Sequence, residues 1–197
     1  MKDILPLCYR WLFPVAWWSF VAYWLVSALW VRKTKVAEPP VTRILHFVIG
    51  SLALMLLAFH NFLRQIDPQL WPQNKYTFWT GASVMLGGLG FAVWARIHLG
   101  RYWSGAITLK EGHRLIRTGP YRFVRNPIYT GILTGVAGTA IALGKVSGLV
   151  ALAVLLIVYS WKIRREERLL APEFGDEYAA YCREVPALVP FKINSRG

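Results

Sequence analysis

The chain has 197 residues and a formal net charge of +13. With 55% hydrophobic residues, 10 Trp and a mean hydropathy of +0.37, it carries more apolar surface than one soluble core of that length can hide. This excludes an ordinary soluble domain and points to an integral membrane protein. The positive charge lies between apolar stretches and in no nucleic-acid-binding module, so it reads as topology and attraction to anionic lipid, with no nucleic-acid partner expected.

Five stretches without Lys, Arg, Asp or Glu are expected to cross the membrane: Trp11–Val31, Ile44–Leu63, Phe78–Ala95, Ile128–Leu143 and Val146–Trp161. Residues 1–10 lack the basic start and small-residue cleavage site of a removed signal peptide, so the first stretch is expected to be retained. Its Trp11, Trp17, Trp18, Tyr23, Trp24 and Trp30 are expected mainly as interfacial anchors and lipid-facing bulk. Ala37-Glu-Pro-Pro40 breaks helix before the second stretch, as Asp67-Pro68 and Trp71-Pro72 do after it. The third carries Gly81, Gly88, Ala92 and Ala95 at helical spacing. The fourth has a stripe of Gly131, Gly135 and Thr139 against which a helix can pack closely. The last two, at 16 residues each, are about 24 Å long as helix, so they must run past these limits or thin the bilayer.

With five spans, 18 of the 23 Lys and Arg fall on one face, in residues 32–43, 96–127 and the tail after Trp161. Retained positive charge marks the cytoplasmic side, which puts the N-terminus outside and the C-terminus inside. Cys8 and Cys182 then lie on opposite faces and are expected as free thiols. The spans carry no ionisable side chain except His46 and His60 near the ends of the second, which disfavours an ion-coupled carrier. The cysteines and four histidines show no metal-ligand spacing, and no serine stands in a nucleophile elbow, so metal and hydrolase chemistry are set aside.

Chemistry is therefore expected at the cytoplasmic boundary. Residues 96–127 make a connection far longer than two spans need. It holds Arg101, Trp103, His113, Arg114, Tyr121, Arg125 and Asn126, donors and aromatic faces suited to a carboxylate and a nucleobase; Trp103 and Arg125 are assigned to substrate. Gly119-Pro120 sets a turn, and Asn126-Pro127 starts the fourth span. For Arg114, Arg117 and Arg122 positive-inside topology is the favoured role. After the fifth span the helix is expected to continue through Leu170 until Pro172 and Gly175 interrupt it. Glu166 and Glu167 point about 100° apart on that helix, so one is expected to turn inward. Lys162 with Glu166, and Arg164 with Glu167, are also spaced for ordinary surface pairs.

Two motif groups carry a resemblance. One is Leu99-Gly100 and Trp103-Ser104, followed by His113-x-Leu-Ile-x-x-Gly-Pro-Tyr-x-x-x-Arg-Asn-Pro-x-Tyr129-x-Gly131. The other is Glu166-Glu167-x-x-Leu169, Phe174-Gly175-x-x-Tyr178-x-x-Tyr181 and Val185-Pro186 through Pro190. In this order, with one apolar hairpin between them, they resemble the isoprenylcysteine carboxyl methyltransferase family of integral membrane enzymes using S-adenosylmethionine.

The resemblance implies a single membrane domain over 1–197: three N-terminal spans in 1–95 and a catalytic region in 96–191 that includes the 128–161 hairpin. The implied fold is an all-α bundle of about five transmembrane helices, with a cofactor pocket between the loop before the fourth helix and the tail helix. His113, Leu115, Ile116 and Gly119 would contact S-adenosylmethionine, Tyr121 would pack on it, and Asn126, Pro127 and Tyr129 would close the pocket. Glu166 or Glu167 would hold the cofactor from the tail, and Lys162 would face substrate. Family members usually carry arginine at the Lys162 position and histidine at the Asn126 position, so neither the carboxylate-gripping fork nor an acid–base role carries over.

The implied reaction moves a methyl group to a lipophilic small molecule, most directly an isoprenylcysteine carboxylate, leaving S-adenosylhomocysteine. The protein then aligns the reactants without a general base, since a carboxylate is already ionised. Other readings are phospholipid or amine N-methylation, a sterol-reductase-like enzyme using a nicotinamide cofactor, and a non-enzymatic lipid-binding protein.

Overall fold

The computed structural model describes residues 4–29, 34–37, 67–100, 108–110 and 115–190, with side chains from Arg10 onward except in the two short strands. The expected second span, Ile44–Leu63, lies outside the described residues. The described residues form four helices, a short 3₁₀ turn and one small ladder: α1 (Ile4–Ser27), β1 (Thr34–Ala37), α2 (Lys75–Leu99), β2 (Thr108–Lys110), the turn Gly119–Arg122, α3 (Pro127–Leu143) and α4 (Val146–Glu184).

The architecture is helical as expected, and α2 and α4 are long and apolar enough to cross a membrane. The ladder was not expected. β1 and β2 pair antiparallel, with Val36 opposite Leu109 and Ala37 opposite Thr108, so both basic loops meet at one end of the bundle. At the other end Gln69 bridges to Lys145.

The boundaries of α2 and α3 have local causes. α2 starts three residues before the expected Phe78 because Asn74 caps it: its Oδ1 accepts from the Tyr76 and Thr77 amides at 2.8 and 3.0 Å, while Thr77 Oγ1 accepts from the Asn74 amide at 3.0 Å. This reciprocal pair satisfies donors the helix itself cannot. α3 begins one residue before the expected Ile128, at Pro127, whose missing N–H costs nothing at a first helical position. It stops at Gly144, which takes the left-handed conformation (φ 61°). At 17 residues it gains only one over the expected span, which leaves local thinning of the bilayer as the other expected accommodation.

α4 does run on, to 39 residues, and here the expected stop at Pro172 is corrected. Pro172 lies inside the helix, and the one non-helical residue is Gly175 (φ 51°, ψ −127°). Proline removes one hydrogen bond but keeps a helical φ, and its exposed position lets water take over the freed carbonyl. Only glycine readily adopts the conformation that bends the chain three residues later.

α2 and α3 pack at backbone distance. A Cβ on Gly88 would fall 2.5 Å from the Gly135 nitrogen, and one on Gly131 2.5 Å from the Gly88 carbonyl oxygen, so the small-residue stripes are where the helices touch. Gly87 and Gly90 instead face open space within α2.

The aromatic face of α1 divides. Trp11 and Trp18 are exposed. Trp17 turns inward, donating Nε1–H to Thr139 Oγ1 at 3.1 Å and packing on Leu133, Val136, Ala151 and Leu155. Trp24 packs on the Ala95, Tyr121 and Ile128 cluster.

The α3–α4 turn is sealed by the segment before α2. Asp67 accepts from the Ser147 amide at 2.9 Å and hydroxyl at 2.7 Å, with Lys145 Nζ 3.8 Å away. Trp71 Nε1 donates to the Ile141 carbonyl at 2.9 Å, and the Gln69 and Gln73 amides reach the Leu143 carbonyl at 3.1 and 2.8 Å. The last carbonyls of α3 and an early donor of α4 thus find partners from a segment 70 to 80 residues away in sequence.

Candidate active site

At the other end of the hairpin, the turn before α3 and the far part of α4 come together as the sequence led one to expect. The turn is shaped by Gly119, whose φ of 58° excludes most side chains. A Cβ there would also lie 2.7 Å from His98 Cε1. His98, in the last turn of α2, places Nε2 2.9 Å from Thr118 Oγ1, and its ring stacks on Tyr121 at 6.4 Å and 26°. Ile116 and Tyr129 join the same cluster, which Tyr121 completes from a buried position.

The tail helix reaches this turn through side chains whose partners lie far away in sequence. Tyr129, in the first turn of α3, donates its hydroxyl to Glu166 Oε1 at 2.7 Å. The Tyr129 ring stacks on Tyr159 at 4.8 Å, and Lys162 Nζ stands 5.5 Å from its centroid. Glu167 faces Arg125, accepting from Nε at 3.0 Å and from Nη2 at 2.7 Å. Both glutamates therefore face the loop side, where only one was expected to turn inward; being adjacent on the helix they meet different partners, and Glu167 pairs with Arg125 instead of Arg164.

Arg125 acts as a clamp. Besides Glu167 it donates Nη1 to the Cys182 carbonyl at 3.1 Å and to the Val185 carbonyl, joining the loop, the tail helix and the segment after it. That segment then runs along the start of α3. The Arg125 and Asn126 amides donate to Pro186 and Ala187 carbonyls at 2.8 and 3.1 Å, Asn126 Nδ2 donates to Ala187 at 3.2 Å, and Thr130 Oγ1 donates to Leu188 at 2.7 Å. Tyr181 donates its hydroxyl to the Tyr121 carbonyl at 2.6 Å. Arg117 pairs with Glu184 and lies over the Tyr181 ring.

Burial sets the electrostatics here. It lifts the Tyr121 phenol well above its usual range, and the negative charge of Glu166 adds to the effect, so Tyr121 is a neutral wall. Tyr181 is pushed up to about 12, mainly by burial. Burial works against charge on Arg125, but the hydrogen bond and charge of Glu167 outweigh it and hold the guanidinium ionised.

Of the residues singled out in the sequence, Leu115, Ile116, Gly119, Tyr121, Arg125, Asn126, Pro127, Tyr129, Lys162, Glu166 and Glu167 are described, and all stand at this end of the bundle. His113, Trp103, Arg101 and Arg114 lie outside the described residues. Sequence reasoning passed over His98, although it stands beside the quoted Leu99-Gly100. It also could not anticipate that Arg125 and Asn126 would engage tail carbonyls.

The phospholipid methyltransferase family profile matches residues 76–177, which contain α2, α3 and the Tyr129, Arg125, Glu166 and Glu167 contacts. Protein-S-isoprenylcysteine O-methyltransferase of Schizosaccharomyces pombe is 30% identical to this chain, over 74% of this chain and 66% of that protein. Its counterpart A from Arabidopsis thaliana is 32% identical, over 70% and 72% of the two chains. A probable enzyme of the same name from Oryza sativa subsp. indica is 28% identical over 92% and 95%. The chain spans about two thirds of the length of the fission-yeast relative. Profile match, relatives and apolar helices agree: this chain belongs to the phospholipid methyltransferase family, together with the isoprenylcysteine O-methyltransferases, and is a membrane methyltransferase.

Proposed function

We propose that this protein transfers a methyl group from S-adenosylmethionine to the carboxylate of an isoprenylcysteine-like lipid, forming a methyl ester at the cytoplasmic membrane face. The observation that carries the reading is the Tyr129–Glu166 contact beside the Arg125–Glu167 clamp, which joins both motif groups into one site. The donor set suits the cofactor. A partly buried carboxylate fixed by a tyrosine hydroxyl fits an ammonium or ribose diol, and a neutral aromatic and aliphatic wall of Tyr121 and Ile116 fits an adenine face.

Glu166 would hold the cofactor from the tail helix, with Leu115, Ile116, Gly119, Tyr121, Pro127 and Tyr129 around it and His113 contributing from the loop. Asn126 would act by fastening the tail segment. When bound, the cofactor supplies an already activated methyl group on its sulfonium. The chain's task is alignment and exclusion of water: Arg125 and Glu167 hold the tail over the turn, and Lys162 offers positive charge to an ionised carboxylate arriving from lipid. Such an acceptor carries no proton to remove, so the reaction needs no general base.

The five-span arrangement with the N-terminus outside is supported by the two pairings at opposite bundle ends, since β1–β2 and Gln69–Lys145 each join loops that an alternating chain would put on one side. The more basic end is then cytoplasmic.

The test is calorimetry of the purified chain with S-adenosylhomocysteine, followed by labelled methyl transfer to an N-acetylated farnesylcysteine and, separately, to phosphatidylethanolamine. Binding, with label that alkali releases from the farnesylcysteine, is expected. Label that resists alkali and sits in the phospholipid would assign N-methylation instead.

A further inference from the structure

Two turns of α4 carry different chemistry on their two sides. Toward the loop, Ile163 is buried, Glu166 meets Tyr129 and Glu167 meets Arg125. Away from it, Trp161, Arg164 and Arg168 are exposed, and the Arg165 guanidinium lies 5.0 Å over the Trp161 ring. Positions 161, 164, 165 and 168 share one helix face. Toward the helix start that face continues through Val150, Ala153 and Ile157, exposed apolar side chains on a helix long enough to cross a membrane. Among the described residues, Arg164, Arg165 and Arg168 enter no ion pair with a carboxylate.

We propose that this outer face of α4 binds the phosphate of an anionic glycerophospholipid, with the acyl chains along Val150, Ala153 and Ile157 and the headgroup on the three arginines. The order of chemistry along the helix fits that ligand. The apolar stripe ends at Trp161, a side chain suited to the hydrocarbon boundary. The arginines span the next 10 Å or so, about the depth of a headgroup layer. Exposed Glu173, Asp176 and Glu177 come only after the arginines in chain order, so the exposed charges next to the apolar stripe are positive. Guanidinium groups are suited to phosphate because their planar donors can engage two oxygens at once. The same turns carry Glu166 and Glu167 inward, so a headgroup on this face fixes the rotation of the helix that forms the site.

The test needs no methyl transfer. Phosphatidylglycerol is titrated into the detergent-purified full chain, and retained lipid is counted by native mass spectrometry, with phosphatidylcholine in parallel. The chain should prefer phosphatidylglycerol, and the combined Arg164→Gln, Arg165→Gln and Arg168→Gln variant should weaken that binding on the order of 100-fold, from the usual contribution of each basic residue near an anionic surface. Replacing all three with lysine should retain most of it. Lys75→Gln, at the opposite end of the bundle, should change nothing. Equal retention of the two lipids, an unaffected glutamine variant, or an equal loss in Lys75→Gln would overturn the proposal.

Discussion

The two ends of the α3–α4 hairpin are both closed by polar contacts, but with different partners. At the sealed end, Asp67, Gln69, Trp71 and Gln73 mostly meet backbone groups at the helix ends, with the Gln69 and Gln73 amides sharing the Leu143 carbonyl. At the site end, backbone carbonyls are also engaged, by Arg125, Asn126, Thr130 and Tyr181, but three pairs of side chains are added: Tyr129 with Glu166, Arg125 with Glu167, Arg117 with Glu184. Backbone groups at a helix end must always be paired, whereas a carboxylate can exchange a tyrosine for a ligand. The first arrangement maintains the fold; in the second, on the function proposed above, Glu166 can exchange its tyrosine for a ligand.

The largest expected effect breaks the sealed end. Asp67→Ala removes both contacts to Ser147 and leaves the buried Lys145 ammonium without this carboxylate. Removing one partner of a buried pair costs about 3 kcal/mol, to be read as a lowered unfolding midpoint, while the folded fraction should bind S-adenosylhomocysteine as before. Glu166→Ala should do the reverse. The loss of a charge-assisted contact should weaken S-adenosylhomocysteine binding by roughly 30-fold in calorimetry, with the melting temperature shifted by only a few degrees.

Tyr181 tests whether the tail is fastened by a neutral phenol. Its pKa is raised to about 12 in the fold, against about 10 for an exposed tyrosine, so the unfolded chain loses its proton first. This contribution to stability is intact below pH about 10 and declines as pH rises through about 12. Melting temperatures across that range should fall less steeply for Tyr181→Phe, which at neutral pH should cost about 1 kcal/mol for the lost bond to the Tyr121 carbonyl. The smallest effect belongs to Arg117→Ala: with 35% and 63% of the two side chains exposed, its pair with Glu184 should contribute less than about 0.5 kcal/mol to a measured unfolding free energy.

Much of this was legible in the sequence because it rests on local chemistry. Pro127 and Gly144 mark the ends of α3 to within a residue, and the small-residue stripes show where α2 and α3 touch. The convergence of the loop and the tail follows from one short hairpin between two motif groups. What was not legible depends on distance along the chain. Asp67 lies 80 residues from Ser147, and Arg125 lies 57 to 60 residues from the carbonyls it clamps, with no local pattern to announce either. Pro172 lies inside the helix without ending it, because on its exposed flank water can take the carbonyl it leaves unpaired.

The shortness of α3 has a consequence for where a greasy acid must travel. Seventeen residues rise about 25 Å, less than the roughly 30 Å of hydrocarbon in an ordinary bilayer. In the topology proposed above, with Gly144 level with one surface, Tyr129 would lie beneath the other. For the isoprenylcysteine-like acceptor proposed above, the prenyl tail would then remain dissolved among acyl chains while its carboxylate meets a donor from the water side, so the protein would not have to lift that acceptor out of oil.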